Sequence, residues 1–581
     1  MPVPWGVQAT RAPTRVFDED WTPNPEDPYS LRHSEYGHDT NPDHRSDSKF
    51  GEQKGYLGDK VEEPVMWIYL LTYISYSLLQ MFGHAREFIG KVLFPGDYEH
   101  LRAHDGYAPL FSDWDSFYTR RLKLRIDDCF ARPVTSVAGR TATLLDRTTS
   151  NYNNSFTFTG ETTQALNVSS YNYLGFAQSR GPCADQAEDV VSEFGVTTGG
   201  RRGEVGTSTL HVQCERLMAN FLGVEDCMIV SMGFATNSTT LPAVVSKGCL
   251  IISDELNHAS IRFGARLSGA MVRSFKHNDM EELENLLREA ISQGHPRTHR
   301  RLPANSSRPP REGDLANLPV ILKLKEKYKF YLFMDEAHSI GALGPRGRGT
   351  CDYFGVDPRK VDLLMGTFTK SFGAAGGYIG GSSKLISMLR LKSHAENYAE
   401  AMAPPVVSQI ITSTASIMGP SSVQFVPSLG VLPPHLISGV AGVDRIRRLA
   451  FNCRYVHGCL RKLGFIVYAP GKLAPFSRLM LERHNIMRVF HSASFSTKTS
   501  DTPHSNSVVL AAFPATPLAT PRIRLCLSSA HTKDDLDSLL RALDDVGSTL
   551  GLKLSPSGMR MNVEDVIQEG VQMVRDYEAS A

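Results

Sequence analysis

Lys370 lies within Gly366-Thr-Phe-Thr-Lys-Ser-Phe-Gly373, 35 positions after Asp335. Both follow apolar runs: Phe330-Tyr-Leu-Phe-Met334 leads into Asp335, and Leu363-Leu-Met365 leads into Gly366. Short apolar runs bounded by glycine or charge read as buried strands of a parallel sheet. Ligands of open α/β sheets bind outside the carboxyl ends of the strands, so the amine and the carboxylate are expected to face one crevice. That pairing suits pyridoxal phosphate (PLP), with lysine as the Schiff base and aspartate keeping the pyridine nitrogen protonated. Two plainer readings compete. Lys370-Ser371 resembles the end of a phosphate loop, but the Gly-x-x-x-x-Gly-Lys spacing is missing. Asp335-Glu336 as a surface acidic pair fits poorly after five apolar residues.

The elements that must position these residues are legible around them. From about 176 to 425 helical and strand patterns alternate, the mark of a mostly parallel sheet flanked by helices. Cys227–Met232, Leu250–Ser253 and Met271–Phe275 are further strand candidates, and Met280, Leu283, Leu286, Leu287 and Ile291 make one helical stripe. After 425 the pattern turns α+β, with a strand at Ile523–Leu527 and a helix at Lys533–Leu540. The expected organisation is a polar, Pro-rich, disordered 1–60; a membrane-spanning or interfacial helix in 61–95; a lead-in over 96–175; a PLP-binding large domain over 176–425; a smaller C-terminal domain over 426–560; and a tail over 561–581.

The alternation breaks once. Helix 280–291 is followed by Pro- and Arg-rich 293–317, and the next regular element is already a helix, Leu318–Tyr328. A right-handed crossover needs a strand between two such helices. Four prolines argue against a central strand there, so either the sheet lacks one, with sheet edges exposed and activity impaired, or the sequence itself is faulty at this point.

Composition excludes several classes. A net charge of +1, from 62 basic and 61 acidic residues, gives no nucleic-acid footprint. Nine cysteines without a Cys-x-x-Cys pair argue against a zinc site and against a disulfide scaffold. Val65–Phe82 is uncharged over eighteen residues, about 27 Å as a helix, near the lower limit for crossing a bilayer. Its Tyr, Thr, Ser and Gln leave an interfacial helix as the alternative. Membrane association is expected in either form.

Five stretches resemble the α-oxoamine synthase family of PLP enzymes: Val230–Ser238, Ser253–Ser260, Met334–Pro345, Gly366–Gly381 and Phe513–Pro517. The likeness spans roughly 60–560 and is greatest to the catalytic branch that condenses L-serine with palmitoyl-CoA. It implies an aminotransferase-like fold of PLP fold type I. It also implies that Gly233 and Phe234 hold the PLP phosphate at a helix N-terminus, where unsatisfied N–H groups favour a dianion. Thr367 would add a hydroxyl, His258 would stack on the ring, and His338 would reach the phenolic oxygen. Asp335 would pair with the ring nitrogen, Lys370 would form the Schiff base, and Arg524 would clamp the amino-acid carboxylate, with Arg522 as its competitor. In the implied reaction serine displaces Lys370, its α-proton is removed, and the carbanion attacks the thioester. CO2 and CoA leave as 3-ketosphinganine forms, a step of sphingolipid biosynthesis.

Such a branch implies a heterodimer with a lysine-lacking partner subunit, at the endoplasmic reticulum membrane with the catalytic domain facing the cytosol. Two alternatives stand beside it: a related synthase using glycine or alanine, and a catalytically impaired subunit of the same complex. The chain departs from the family at two places. Residues 302–317 replace a strand and loop of the type Glu-Gly-x-Tyr-Ser-Met-Glu-Gly. Near 473–508 a short strand after Gly471 is expected to be lost, with a Ser/Thr-rich insertion at 491–507.

Overall fold

The computed structural model describes residues 35–46, 66–101, 132–293, 305–307, 315–425, 438–467, 476–480, 506–511 and 522–580, with short breaks, and a few positions between 103 and 117. The Phe513–Pro517 motif and most of the 491–507 insertion lie outside the described residues. An antiparallel hairpin, β1 (Thr141–Thr148) and β2 (Thr157–Asn167), precedes the main body.

Seven strands form the central sheet: β3 (Asp226–Val230), β4 (Leu250–Asp254), β5 (Met271–Phe275), β6 (Asn305–Ser307), β7 (Leu332–Asp335), β8 (Leu363–Thr367) and β9 (Gly377–Gly381). Their order is β3-β9-β8-β7-β6-β4-β5, antiparallel only where β9 meets its two neighbours. The apolar runs do not alternate with polar residues because both faces are covered. On β4, Ile251 joins one core layer with Leu241, Ile261 and Ile386, whereas Leu250 and Ile252 join another with Leu283, Leu287 and Ile321. On β7, Phe333 packs into the first layer and Leu332 and Met334 into the second, as the two-residue period of a strand requires.

The expected gap in this sheet does not exist. β6 fills it, pairing in parallel with β7 through Asn305, Ser306 and Ser307, and with β4 through Ser306 and Ser253. The prolines at 303, 309 and 310 limit the strand to the short proline-free window between them, since proline brings no ladder N–H. The sheet is continuous, so the expected loss of activity has no basis in a missing strand.

A strand does form after Gly471, where none was expected. β10 (Phe476–Met480) pairs antiparallel with β13 (Arg522–Cys526) along its whole length. β11 (Asn506–Ser507) extends β2, and β12 (Val509–Ala511) flanks the other side of β13. Helices Val440–Lys462 and Lys533–Thr549 belong to this part. Residues 561–581, expected as a tail, carry helix Val563–Ser580, whose Val566 and Val574 are buried in the same core as Tyr455 and Leu460.

Two N-terminal expectations are corrected. Residues 35–46 are ordered, not disordered: Arg448 Nη1 donates to Gly37 O at 2.8 Å, and the Tyr36 ring lies 4.1 Å from the Arg445 guanidinium carbon. The anticipated apolar helix forms as Met66–Leu93, but among the described residues no helix is long and apolar enough to cross a membrane. Polar residues through Gln80, then Arg86, Glu87 and Lys91, interrupt its apolar run. The spanning alternative thus finds no support among the described residues.

Candidate active site

β7 and β8 lie side by side in parallel register, Asp335 opposite Met365, so the residues that leave their carboxyl ends share one crevice. Asp335 is 2% exposed and Lys370 9%. Asp335 Oδ1 accepts the Ala337 N–H at 2.9 Å, and Oδ2 accepts from Asn237 Nδ2 at 3.1 Å. Two donors on one carboxylate fix its orientation. The Lys370 Nζ stands 5.5 Å from the centre of the Tyr171 ring.

Tyr171 gathers the rest. Arg524 lies on β13, its guanidinium carbon 4.3 Å from the Tyr171 ring centre, and its Nη1 donates to the Tyr171 hydroxyl. The Arg524 Nε is buried without a partner, a donor that suits an incoming carboxylate. His338 meets the Tyr171 ring edge-on at 5.6 Å, and its Nδ1 is 2.8 Å from the hydroxyl of fully buried Tyr173. Burial pushes that phenol well above its ordinary value, so it keeps its proton and can donate to Nδ1. With the phenol donating, the ring proton of His338 is on Nε2.

On the opposite side, Gly233 opens helix Gly233–Val244. The first ladder bond runs from Thr236 N–H to Met232 O, which leaves the N–H groups of Gly233, Phe234 and Ala235 outside the ladder. A Cβ on Gly233 would sit 2.9 Å from Thr367 Oγ1, so the backbone here approaches the threonine more closely than any other residue permits. Thr367 Oγ1 itself donates to Gly376 O at 2.9 Å. Phe234 and His258 meet edge-on at 6.2 Å. His258 caps helix Ala259–Ser268, its Nδ1 accepting the Ser260 N–H.

All eight residues singled out in the sequence thus converge on one cluster. The residues present fit PLP: three N–H groups and a hydroxyl at a glycine cradle, a buried carboxylate, a buried lysine and a histidine with a donor nitrogen. Asn237, Ser260, Tyr171 and Tyr173 were not singled out, although Asn237, four residues after Gly233, lies one helical turn into the helix on the cradle's face. The side chain of Arg522 lies outside the described residues, and Arg524 alone of the two is placed at the cluster.

Comparison with known proteins places the fold and the family. Residues 163–543 match the model of aminotransferase class I and II. Serine palmitoyltransferase 2 of Schizosaccharomyces pombe is 44% identical over 94% of this chain and 86% of its own length. Serine palmitoyltransferase 2 of Saccharomyces cerevisiae is 44% identical over 94% of this chain and 95% of its own. A solved structure of SPT with a PLP internal aldimine shares the fold, at TM-score 0.62 and 23% identity, covering 76% of this chain and 99% of that one. With a PLP-fitted cluster, an aminotransferase-like sheet and relatives that align almost end to end, the chain belongs to the serine palmitoyltransferase family of PLP-dependent acyltransferases.

Proposed function

We propose that this chain is the lysine-bearing catalytic subunit of a serine palmitoyltransferase, condensing L-serine with palmitoyl-CoA to 3-ketosphinganine. The observation that carries the reading is Lys370 itself, buried after β8 and beside the strand that ends in Asp335, with Arg524 held nearby through Tyr171. Bound PLP supplies the electron sink that makes the serine Cα acidic. Lys370 would hold the cofactor, Asp335 would face its ring nitrogen, and Gly233, Phe234 and Thr367 would hold its phosphate. His258 would cover the ring and His338 would offer Nε2–H to the phenolic oxygen.

Arg524 binds the serine carboxylate as a fork, with one arm steadied by the Tyr171 hydroxyl. The Lys370 Nζ takes the Cα proton. A bond then forms between Cα and the acyl carbonyl carbon as the C–S bond breaks and CoA leaves as its thiol. Loss of the carboxylate as CO2 and return of the proton from Lys370 to Cα complete the balance, the proton on the departing thiol coming from the serine ammonium. The fixed positions of Arg524 and Lys370 serve orientation, aligning the Cα–H for transfer.

The reading extends to the surroundings. A lysine-lacking partner subunit completes the heterodimer. Helix Met66–Leu93, with Trp67, Leu70, Leu71, Ile74 and Phe82 exposed, supports attachment in the membrane interface, where an apolar acyl chain arrives and an apolar product leaves. We place it at the endoplasmic reticulum membrane with the catalytic domain facing the cytosol. Eight free, buried cysteines among the described residues support a reducing compartment.

The test is co-expression with the partner and assay with palmitoyl-CoA and serine, glycine or alanine in parallel. 3-Ketosphinganine formed from serine, and abolished by Lys370→Ala, supports the reading. Preference for glycine or alanine would make it a different oxoamine synthase. No condensation with any donor would leave an inactive subunit.

A further inference from the structure

Asn237, Ser260, His258 and Asp335 form a continuous hydrogen-bonded chain across two helices and a strand end. Asn237 Nδ2 donates to Asp335 Oδ2 at 3.1 Å and to Ser260 Oγ at 3.0 Å. Ser260 Oγ lies 2.6 Å from His258 Nδ1, which also accepts the Ser260 N–H at 3.2 Å. Asn237 and Ser260 are each 1% exposed. The two helices are pressed together at this point: a Cβ on Gly264 would sit 2.9 Å from Asn237 O.

The proton directions follow from chemistry. A carboxylate can only accept, so the Asn237 amide must turn its NH2 towards Asp335, which aims its second N–H at Ser260. The Ser260 N–H aimed at His258 Nδ1 makes that nitrogen an acceptor, so the Ser260 hydroxyl, whose oxygen accepts from Asn237, turns its one proton to it as well. Two donors pointing at Nδ1 exclude a proton there, so His258 carries its proton on Nε2 and is neutral. An imidazolium could form only by breaking both bonds.

We propose that Asn237 and Ser260 are positioning residues that hold His258 as the neutral Nε2–H tautomer and tie it to the Asp335 carboxylate. The proposal rests on reading this cluster as the PLP site. It gives the relay a purpose: a cationic imidazole stacked on a protonated pyridine would be repelled by like charge at short range. Asp335 favours the charged ring, and the relay keeps the stacking partner uncharged.

The test is PLP affinity of the subunit complex, measured by titrating the cofactor-free protein and following fluorescence quenching between pH 5.5 and 8. Each variant is expressed as a ratio to wild type, which removes the titration of PLP itself. Ser260→Ala is expected to weaken PLP about tenfold at pH 5.5 and to approach wild type at pH 8, above the ordinary titration range of histidine. Ser260→Thr, which keeps the hydroxyl, is expected to restore a flat ratio. Asn237→Ala is expected to weaken PLP about tenfold at every pH, because Asp335 loses a donor. A Ser260→Ala ratio that stays constant across the range overturns the relay, whatever its effect on melting temperature. Should Ser260→Ala fail to fold, histidine ¹⁵N shifts of the wild type, assigned with His258→Gln, decide the matter: Nε2–H supports the proposal and Nδ1–H overturns it. Wild-type protein that takes up no PLP would instead refute the cofactor-site reading itself.

Discussion

Glu336, next to Asp335, is 1% exposed, and burial raises its carboxyl from an ordinary 4.5 to about 7. Its Oε1 accepts the Thr350 N–H at 2.8 Å, and the Cys351 N–H also bonds to the carboxyl; these donors partly offset the burial penalty. Between pH 4.5 and about 7 the folded chain keeps a proton that the unfolded chain has released. Stability therefore falls as pH rises through that window, and the contribution is fully present only below it. At 1.36 kcal/mol per unit the shift corresponds to about 3 kcal/mol. Glu336→Gln keeps the shape and removes the titration. Turning an amide NH2 towards the neighbouring donors carries a cost of its own, but that cost is the same at every pH and drops out of the difference. Urea unfolding at pH 5 and pH 8 should show Glu336→Gln gaining on wild type by about 2.5 kcal/mol over that interval, the part of the shift that lies above pH 5. A wild-type and variant difference that is identical at both pH values would refute the assignment of a protonated Glu336.

Three further outcomes follow from the site and its surroundings. Tyr171→Phe removes the hydroxyl that accepts from Arg524 but keeps the ring, so the KM for serine should rise by about 10- to 100-fold with a smaller change in kcat, as expected for one hydrogen bond to a charged group of about 1.5–3 kcal/mol. Steady-state kinetics across serine concentrations check this. Arg524→Lys keeps the charge but not the fork, and kcat/KM for serine should fall at least tenfold, with PLP uptake unchanged. Leu70→Asp together with Ile74→Asp, both on the exposed side of helix Met66–Leu93, should lower co-sedimentation with lipid vesicles by more than a hundredfold, since burying each apolar side chain is worth about 1.5–3 kcal/mol.

The strand that ends at Asp335 and the one that leads to Lys370 were legible because their apolar runs are long enough to be buried on both faces and are followed by polar, chemistry-bearing residues. β6 was not, because Asn305-Ser-Ser307 joins the sheet by backbone pairing, and neither hydrophobicity nor periodicity records a three-residue ladder. β10 escaped notice for the same reason: its partner along β13 is separated from it by more than forty residues of sequence. Within the site, Lys370, Asp335 and Gly233 announced themselves by motif, whereas Tyr171 and Tyr173 sit some 200 residues before Lys370 in the lead-in and reach it only through the fold. Asn237 was the most recoverable of the missed residues, one turn beyond Gly233 on the same helix. Helix Met66–Leu93 was legible as a helix, but its polar and charged positions speak against spanning, and those were in view from the outset.

Borohydride reduction of the PLP-loaded complex, followed by peptide mapping, tests the central claim most directly. A single pyridoxyl adduct on the peptide containing Gly366–Gly373, at Lys370, is the predicted result. An adduct on any other lysine, or none in protein that has bound the cofactor, would contradict it.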